Sequence, residues 1–563
     1  MYEYDPSSFR GVFERDFGYL AGVARNASRF ADRLALGEAE GERTWTYAEL
    51  WRDVEQLAGE LGARGVRPGE TVVFQLFNGP EFALVWLAAM RLGAIPTPIN
   101  FRLSAGETAH VIDDSRPAAF VFDAELGAQA REALELASHA PGWTAVVGED
   151  FDALLATDAT PPPFPDRDIY GETTRLYTSG TTGLPKGVSL NDAVEVMSAH
   201  DVIMHFPLAP DDRTLNMTPW FHRGGLYSGG PNPVFYVGAA AISLRAFDPA
   251  AALDLVAARG LTFLVGAPTN LAMLAEEQRR APRDLATLRG IVTMGAPLER
   301  EACLLYQDVL TPRIFNGYGT TESFWNTFLR PADLPAHAGS AGRACTDDDV
   351  VVARSAGDGA DPADPVARDG EEVGEVVVRT PKAGYAYVNQ PEEQAARFRD
   401  GWFHTGDLAT WDAEGFVTIV GRGDDMLISG GENVHPVQVE EVLNEHPRVA
   451  DSCVVGLPDE RWGELIVAYV VPAASGGVTD ATHGTAVHGA TGATSADEEP
   501  ATTLTVAALD AHCRSHPMLA DYKRPRAYRL VDSLPMTATG KKMHFRVREA
   551  AIADAAADLL VRP

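Results

Sequence analysis

An α/β architecture is what this chain predicts: a large N-terminal domain of parallel sheets flanked by helices with a β-rich part, then a small α+β C-terminal domain. Three observations predict it. Short apolar runs alternate with helical patterns over roughly the first 420 residues. Strand-like runs dominate from Gly370 to Val420. Gly421-Arg422-Gly423 then interrupts the chain, and a compact α+β pattern follows to the end. At 563 residues the chain exceeds one ordinary domain, so at least two are expected.

Each element follows from its local pattern. Thr71 to Leu76 reads as a buried strand, Glu81 to Leu92 as a helix, and Ala118 to Phe122 as another strand. Leu261 to Val265 and Gly290 to Met294 repeat the theme, and strands alternating with helices predict parallel pairing. Pro161 to Pro165 reads as a connector. Glu375 to Arg379 and Phe416 to Val420 read as strands of the β-rich part. The main boundary is placed at Gly421, giving domains 1–420 and 421–563, because flanking glycines permit large backbone rotations. Ala473 to Thr503 is rich in Gly, Ala, Thr and Ser without apolar periodicity, so residues 473–503 are expected to form a flexible surface insertion.

Composition excludes some function classes. With 45% hydrophobic and 22% charged residues the chain reads as a globular protein, and its net charge of −32 argues against a non-specific binder of nucleic acid or anionic membranes. The N-terminal Met1-Tyr2-Glu3-Tyr4-Asp5 lacks a basic region before an apolar run, so no signal peptide is expected. The longest apolar run, Phe82 to Met90, is too short to span a bilayer. Cys303, Cys345, Cys453 and Cys513 have neither zinc-ligand nor redox-motif spacing, which fits packing thiols in a reducing cytoplasm. Of 47 basic residues only five are lysine: Lys186, Lys382, Lys523, Lys541 and Lys542. A chain that writes nearly every positive charge as Arg places Lys where a compact charge on a flexible stem is needed, which marks Lys186 and Lys541 for attention.

The strongest local signal is Tyr177-Thr178-Ser179-Gly180-Thr181-Thr182-Gly183-Leu184-Pro185-Lys186-Gly187. Its glycines let backbone N–H groups approach an anion, its hydroxyls add donors and Lys186 adds charge, so it reads as a phosphate-binding loop. It lacks the Gly-Lys-Ser/Thr end of a Walker A loop. This stretch resembles the phosphate loop of the adenylate-forming superfamily, which includes acyl- and aryl-CoA ligases, peptide-synthetase adenylation domains and beetle luciferases. The resemblance runs from about residue 40 to 550, and further motifs come in the family's order. Asn316-Gly317-Tyr318-Gly319-Thr320-Thr321-Glu322 resembles the nucleotide and magnesium motif. Trp402 to Asp407 resembles the ribose motif, Arg422 the second ribose contact, and Pro535 to Lys541 the catalytic-lysine motif.

The resemblance implies roles residue by residue. Adenylation brings a carboxylate to the α-phosphorus of ATP, so charge developing on phosphate oxygens must be neutralised. Lys541 is then expected to bridge the acid oxygen and the α-phosphate, with Thr181, Thr182 and Lys186 on the β- and γ-phosphates. Glu322, with Thr181, is expected to carry Mg2+. Asp407 and Arg422 are expected to hold the ribose, Tyr318 to stack beside adenine, and Gly295-Ala296-Pro297 to line its other side. Pro219-Trp220-Phe221-His222-Arg223-Gly224-Gly225 resembles the aromatic-plus-histidine motif that gates the acid pocket, which makes His222, Arg223, Tyr227, Met294 and Gly319 the expected acid-pocket residues. Arg223 stands where many relatives are apolar; it either binds a second anionic group or serves the structure.

Gly421 to Pro436 is similar to aryl-CoA ligases such as halobenzoate-CoA ligases, and Tyr522-Lys523-Arg524-Pro525 also matches the ligase pattern. The resemblance therefore implies a small acid, aromatic or of medium length, as substrate, CoA as acceptor, and an active site between two domains that rotate about Gly421. A homodimer is compatible with the sequence. The alternative is a member that adenylates nitrite and couples it to an aromatic amine. Departures from the pattern are His337 to Gly342, Ala386-Tyr387-Val388, and Lys542-Met543-His544 after Lys541, where Ile or Val is commoner.

Overall fold

The computed structural model describes residues 7, 10–11, 17–103, 105–157, 159–160, 162–165, 168–179, 185–356, 359–422, 427–429, 432–434, 436–459, 462–473, 504–516, 519, 521–537 and 540–563; of residues 179, 356, 422, 428, 432, 433 and 522 only the backbone is described. The chain divides into two compact units, Met1–Ile419 and Val420–Pro563. Of the expected insertion 473–503, residues 474–503 lie outside the described residues.

In the larger unit, Ile95–Pro98, Thr71–Gln75, Ala119–Asp123 and Trp143–Val147 form a four-stranded sheet in that order, parallel throughout. Helix Pro80–Leu92 starts on a proline, whose missing N–H costs nothing in a first turn, and ends on Gly93 at φ +90. Twelve of its thirteen residues are buried, which explains why the longest apolar run of the chain is a core helix. The second sheet has nine strands. Arg213–Asn216, Phe263–Gly266, Gly290–Met294 and Ile314–Thr320 run parallel at its centre, and Phe324–Leu329 returns antiparallel to the last of these. The carboxyl ends of these parallel strands therefore share one edge, where open α/β sheets hold ligands.

Glu172–Ser179 and Pro185–Asn191 form an antiparallel hairpin with Thr178 opposite Lys186 and Ser179 opposite Pro185. The β-rich part begins earlier than the sequence pattern predicts, at Asp349–Ala356, which pairs with Gly359–Pro365 and Gly374–Arg379; Trp402–Trp411 then joins Gly374–Arg379. The polar run in Gly359–Pro365 hides this extra strand from hydrophobic periodicity.

In the smaller unit, Gly463–Pro472 pairs antiparallel with Val449–Asp459 and parallel with Ala527–Leu530, and Leu427–Ser429 and Glu432–Val434 extend the sheet. Helices Pro436–Asn444 and Val506–Ser515 contribute Val439, Leu443, Leu509 and Cys513 to the core on one face of the sheet. Helix His544–Ala556 contributes Val547 and Ala551 to a second core. Cys303, Cys345, Cys453 and Cys513 are all buried free thiols. Among the described residues no helix is long and apolar enough to cross a membrane.

Candidate active site

The carboxyl end of Ile314–Thr320 is built as a tight hairpin. A side chain on Gly319 would collide with the carbonyl oxygen of Phe324, 1.5 Å from an ideal Cβ, so only glycine fits. Phe324 takes φ +61, costly for a non-glycine residue, and marks a turn held by its surroundings. The Thr320 hydroxyl accepts the Ser323 N–H at 3.3 Å and lies 3.1 Å from the Ser323 hydroxyl, which lies 2.6 Å from Asn326 Oδ1. Thr320 thus spends its hydroxyl on the turn that carries Glu322. Asn316 and Gly317 lie buried in the strand itself. Asn316 donates to the Ser340 carbonyl at 3.2 Å, and Gly317 leaves room for the Trp325 ring. In this structure their observed work is to shape the strand.

Glu322 receives the Tyr387 hydroxyl at 2.7 Å. The Lys186 ammonium lies 5.4 Å from the centre of the same tyrosine ring and pairs with Glu393 at 2.7 Å. Partial burial would raise the Glu393 carboxyl, but the hydrogen bond and charge of Lys186 outweigh it and hold it below the usual range. One tyrosine therefore joins the phosphate-loop lysine to the expected metal carboxylate. The Glu322 carboxylate is a hard oxygen donor of the kind that fits Mg2+, which takes one or two carboxylates and fills its remaining positions with phosphate oxygens and water. Thr181 and Thr182, with Gly180 and Gly183, lie outside the described residues, as do Gly430 and Gly431. Thr178 is half-buried, and of Ser179 only the backbone is described.

Asp407 is buried and accepts the Tyr318 hydroxyl at 2.7 Å, which joins the expected adenine and ribose residues directly. Its own N–H donates to Thr405 Oγ1 at 3.0 Å, and that hydroxyl donates to the Val376 carbonyl at 2.7 Å, so Asp407 is aimed by its strand. Gly295 and Pro297 are exposed and Ala296 half-buried just beyond Gly290–Met294, an open crest suited to a flat ligand. Arg422 ends strand Val417–Arg422, and its side chain lies outside the described residues.

The aromatic-plus-histidine segment is organised by Asn216, a residue the sequence reading missed. Its amide Nδ2 faces the carbonyls of Gly224 and Gly225 at 3.1 Å and of Ser228 at 2.9 Å, and its Oδ1 accepts from Thr218 N–H and hydroxyl. Gly225 packs where a Cβ would sit 1.9 Å from the Pro219 carbonyl oxygen. His222, half-buried, precedes the short helix Arg223–Tyr227, with its ring 4.2 Å from that of Phe221. Met294 reaches toward Gly224: its Cε lies 3.4 Å from an ideal Cβ there.

Two expected acid-pocket residues turn inward instead. Arg223 is buried and donates to the carbonyls of Thr321 at 2.8 Å and Lys382 at 3.0 Å and to the Ser198 hydroxyl at 3.0 Å. Its guanidinium also stacks over Tyr227 and Phe324. These contacts favour the structural alternative for Arg223 over contact with a second anionic group. Tyr227 is wholly buried and donates to Glu195 Oε1 at 2.8 Å, so it belongs to the core behind the site. Tyr387 and Glu393 were also missed. Tyr387 sat in a run that departs from the family pattern, while nothing in the Pro391-Glu392-Glu393 helix start distinguishes Glu393.

In the smaller unit, Lys541 is exposed on a turn in which its N–H donates to Thr537 Oγ1 at 3.0 Å and its carbonyl accepts from Thr537 N at 2.7 Å. Lys523 donates to Gln438 at 2.8 Å, and Arg524, 6% exposed, is engaged by Asp510 and Asp521. Arg524 is thereby an interior ion-pair residue.

Comparison with known proteins identifies the family. Residues 23–388 match the AMP-binding enzyme family and residues 438–541 match the AMP-binding enzyme C-terminal domain. An indoleacetate–CoA ligase of Aromatoleum aromaticum is 34% identical over 527 residues, covering 90% of this chain and 93% of the relative. A feruloyl-CoA synthase of an Amycolatopsis species is 35% identical over 517 residues, covering 91% and 95%. Among solved structures, an anthranilate CoA ligase in complex with anthranoyl-AMP superposes with a TM-score of 0.81 at 26% identity, covering 96% of this chain and 98% of the other. The chain belongs to the AMP-binding enzyme family.

Proposed function

We propose that this enzyme activates an aromatic or medium-length carboxylic acid as an acyl-adenylate and transfers the acyl group to CoA. The observation that carries the reading is the joined set Lys186–Tyr387–Glu322, a cation and a carboxylate held by one tyrosine at the end of the central sheet. The Tyr318–Asp407 pair supplies a nucleoside-binding element of matching chemistry. That relatives at 34% and 35% identity are CoA ligases of indoleacetate and ferulate supports an aromatic acid and CoA.

The chemistry follows from charge. A carboxylate oxygen of the acid bonds to the α-phosphorus of ATP and the bond to pyrophosphate breaks. Lys186 binds the departing phosphates by exchanging its Glu393 partner for phosphate oxygens. Glu322 would hold Mg2+, which when bound neutralises charge on those oxygens. Tyr387 fixes the Glu322 carboxylate. Asp407 accepts ribose hydroxyl protons while Tyr318 steadies it. Lys541 stabilises charge at the α-phosphate as it develops. His222 and Met294 border the acid. In the second step the thiol of CoA bonds to the acyl carbon, AMP leaves, and the thiol proton passes to solvent.

An acid panel with ATP, including indoleacetate, ferulate and anthranilate, tests this. Pyrophosphate release should depend on the acid, and mass spectrometry should find an acyl-CoA only when CoA is present. Turnover indifferent to CoA, or a product joining nitrite nitrogen to an aromatic amine, would contradict the assignment.

A further inference from the structure

Lys541 sits in a stretch that departs from its family's pattern, and the structure shows what the departing residues touch. Lys542 pairs with Glu440 Oε2 at 3.1 Å and with Asp451 Oδ1 at 2.8 Å. His544 Nε2 lies 2.7 Å from the other oxygen of Glu440. Glu440 belongs to helix Pro436–Asn444, is only 4% exposed, and also accepts the Val454 N–H at 2.8 Å. Burial would raise the Glu440 carboxyl, but the His544 hydrogen bond and the Lys542 charge overcome it and keep it below the usual range.

The backbone closes the same loop from the other side. Lys542 bridges Met536 in antiparallel fashion, Gly540 N–H donates to the Thr537 carbonyl at 3.0 Å, and Met543 N–H donates to the Pro535 carbonyl at 3.0 Å. Lys541 is thus held by a small hairpin whose following residue and next-but-two residue are fastened to one buried carboxylate. Glu440, Cys453 and His544 place a carboxylate oxygen, a sulfur and a ring nitrogen within 4.8 Å, a spacing that also suits a metal ion. Lys542 already supplies a cation between Glu440 and Asp451, so the chain itself balances one of the two negative charges. An apolar Ile or Val at position 542 could pack there but could not reach both carboxylates.

We infer that Glu440, Lys542 and His544 form a brace that positions Lys541 for the adenylation step. The inference rests on the proposed role of Lys541. Lys542 and Glu440 are positioning residues: they act through the hairpin, and only the half-reaction that uses Lys541 should feel them.

The test uses Lys542→Met, which keeps the stem and removes the charge, with Glu440→Gln as a second, milder lesion. Both half-reactions are measured on the full-length enzyme: ATP–pyrophosphate exchange with a productive acid, and thioester formation from a synthetic acyl-adenylate and CoA. The expected result is a roughly tenfold lower exchange kcat, little change in KM for ATP, intact thioester formation, and partial rescue by Lys542→Arg. Coupling supplies the sharper readout: on a Lys541→Ala background, Lys542→Met should have no further effect on exchange, because residues acting through one group are not additive. An equal fold-loss on both backgrounds would overturn the brace while leaving the Lys541 role intact. Equal loss of both half-reactions in Lys541→Ala itself would remove that role and the brace with it.

Discussion

Lys382 in the larger unit and Lys542 in the smaller one each lie between two carboxylates with a histidine and a cysteine nearby. Lys382 is 3.0 Å from both Asp201 and Asp348, and Asp201 and Cys345 gather with His205 within 4.8 Å. Lys542 has Glu440, Asp451, His544 and Cys453 in the corresponding places. The residue types match, but the depth does not: the Lys382 side chain is 1% exposed and that of Lys542 is 20% exposed. Burial alone would discharge Lys382, yet its charged neighbours keep its ammonium above the ordinary value, and burial lifts Asp348 to about 6. A cation that deep has one outlet, the structure around it. The shallower one adjoins Lys541 and can serve chemistry.

The comparison predicts its largest difference in stability. Lys382→Met leaves Asp201 and Asp348 buried without a cation and should cost about 3–5 kcal/mol, seen as a clear fall in thermal unfolding temperature. Lys542→Met leaves Asp451 partly exposed and leaves the buried Glu440 its His544 and Val454 N–H partners, so it should cost less, about 1–2 kcal/mol, in the same scan. Similar shifts for both would break the distinction.

A second prediction concerns another ionisable group in the larger unit's core. Glu195 is wholly buried; desolvation raises its carboxyl to about 7, although Tyr227 and Asn232 hydrogen-bond it at 2.8 Å. The folded state therefore binds the proton more tightly than the unfolded chain does. Stability should fall as pH rises from about 4.5 to 7 and level off above, a change on the order of 3 kcal/mol from this group. Glu195→Gln should flatten that part of the profile, since its amide stays neutral at every pH; an unchanged slope would place the titration elsewhere.

The smallest effect belongs to a single hydroxyl at the site. Tyr387→Phe removes the donor to Glu322 and should raise the apparent KM for Mg-ATP by about tenfold or less, with stability unchanged. Titrating magnesium at fixed ATP checks it, because a misaligned carboxylate should demand more metal.

The fold was largely legible because buried parallel strands such as Gly290–Met294 and the helix Pro80–Leu92 announce themselves by apolar runs. The strand Gly359–Pro365 was not, since it is polar and lies at a sheet edge, and its neighbour Asp349–Ala356 was missed despite its apolar Val350 to Ala353. At the candidate site, Lys186, Glu322, Tyr318 and Asp407 could be named from motifs, but their connections could not. Tyr387 lies 65 residues from its Glu322 partner, and Glu393 lies 207 from Lys186, so no local pattern links them. Arg223 and Tyr227 looked like pocket residues by position in the motif; the tertiary environment turns both toward helix Asp192–His205. The same limit hid the brace: Lys542 and His544 could be seen to be unusual, but Glu440 lies 102 residues from Lys542.

The central claim is that Lys541 acts in forming the acyl-adenylate, and separating the two half-reactions in Lys541→Ala tests it most directly. The account predicts that adenylation falls by about 10²-fold or more, that folding is unchanged, and that CoA still captures a supplied acyl-adenylate at close to the normal rate. Adenylation at the wild-type rate, or an equal loss of both steps, would contradict it.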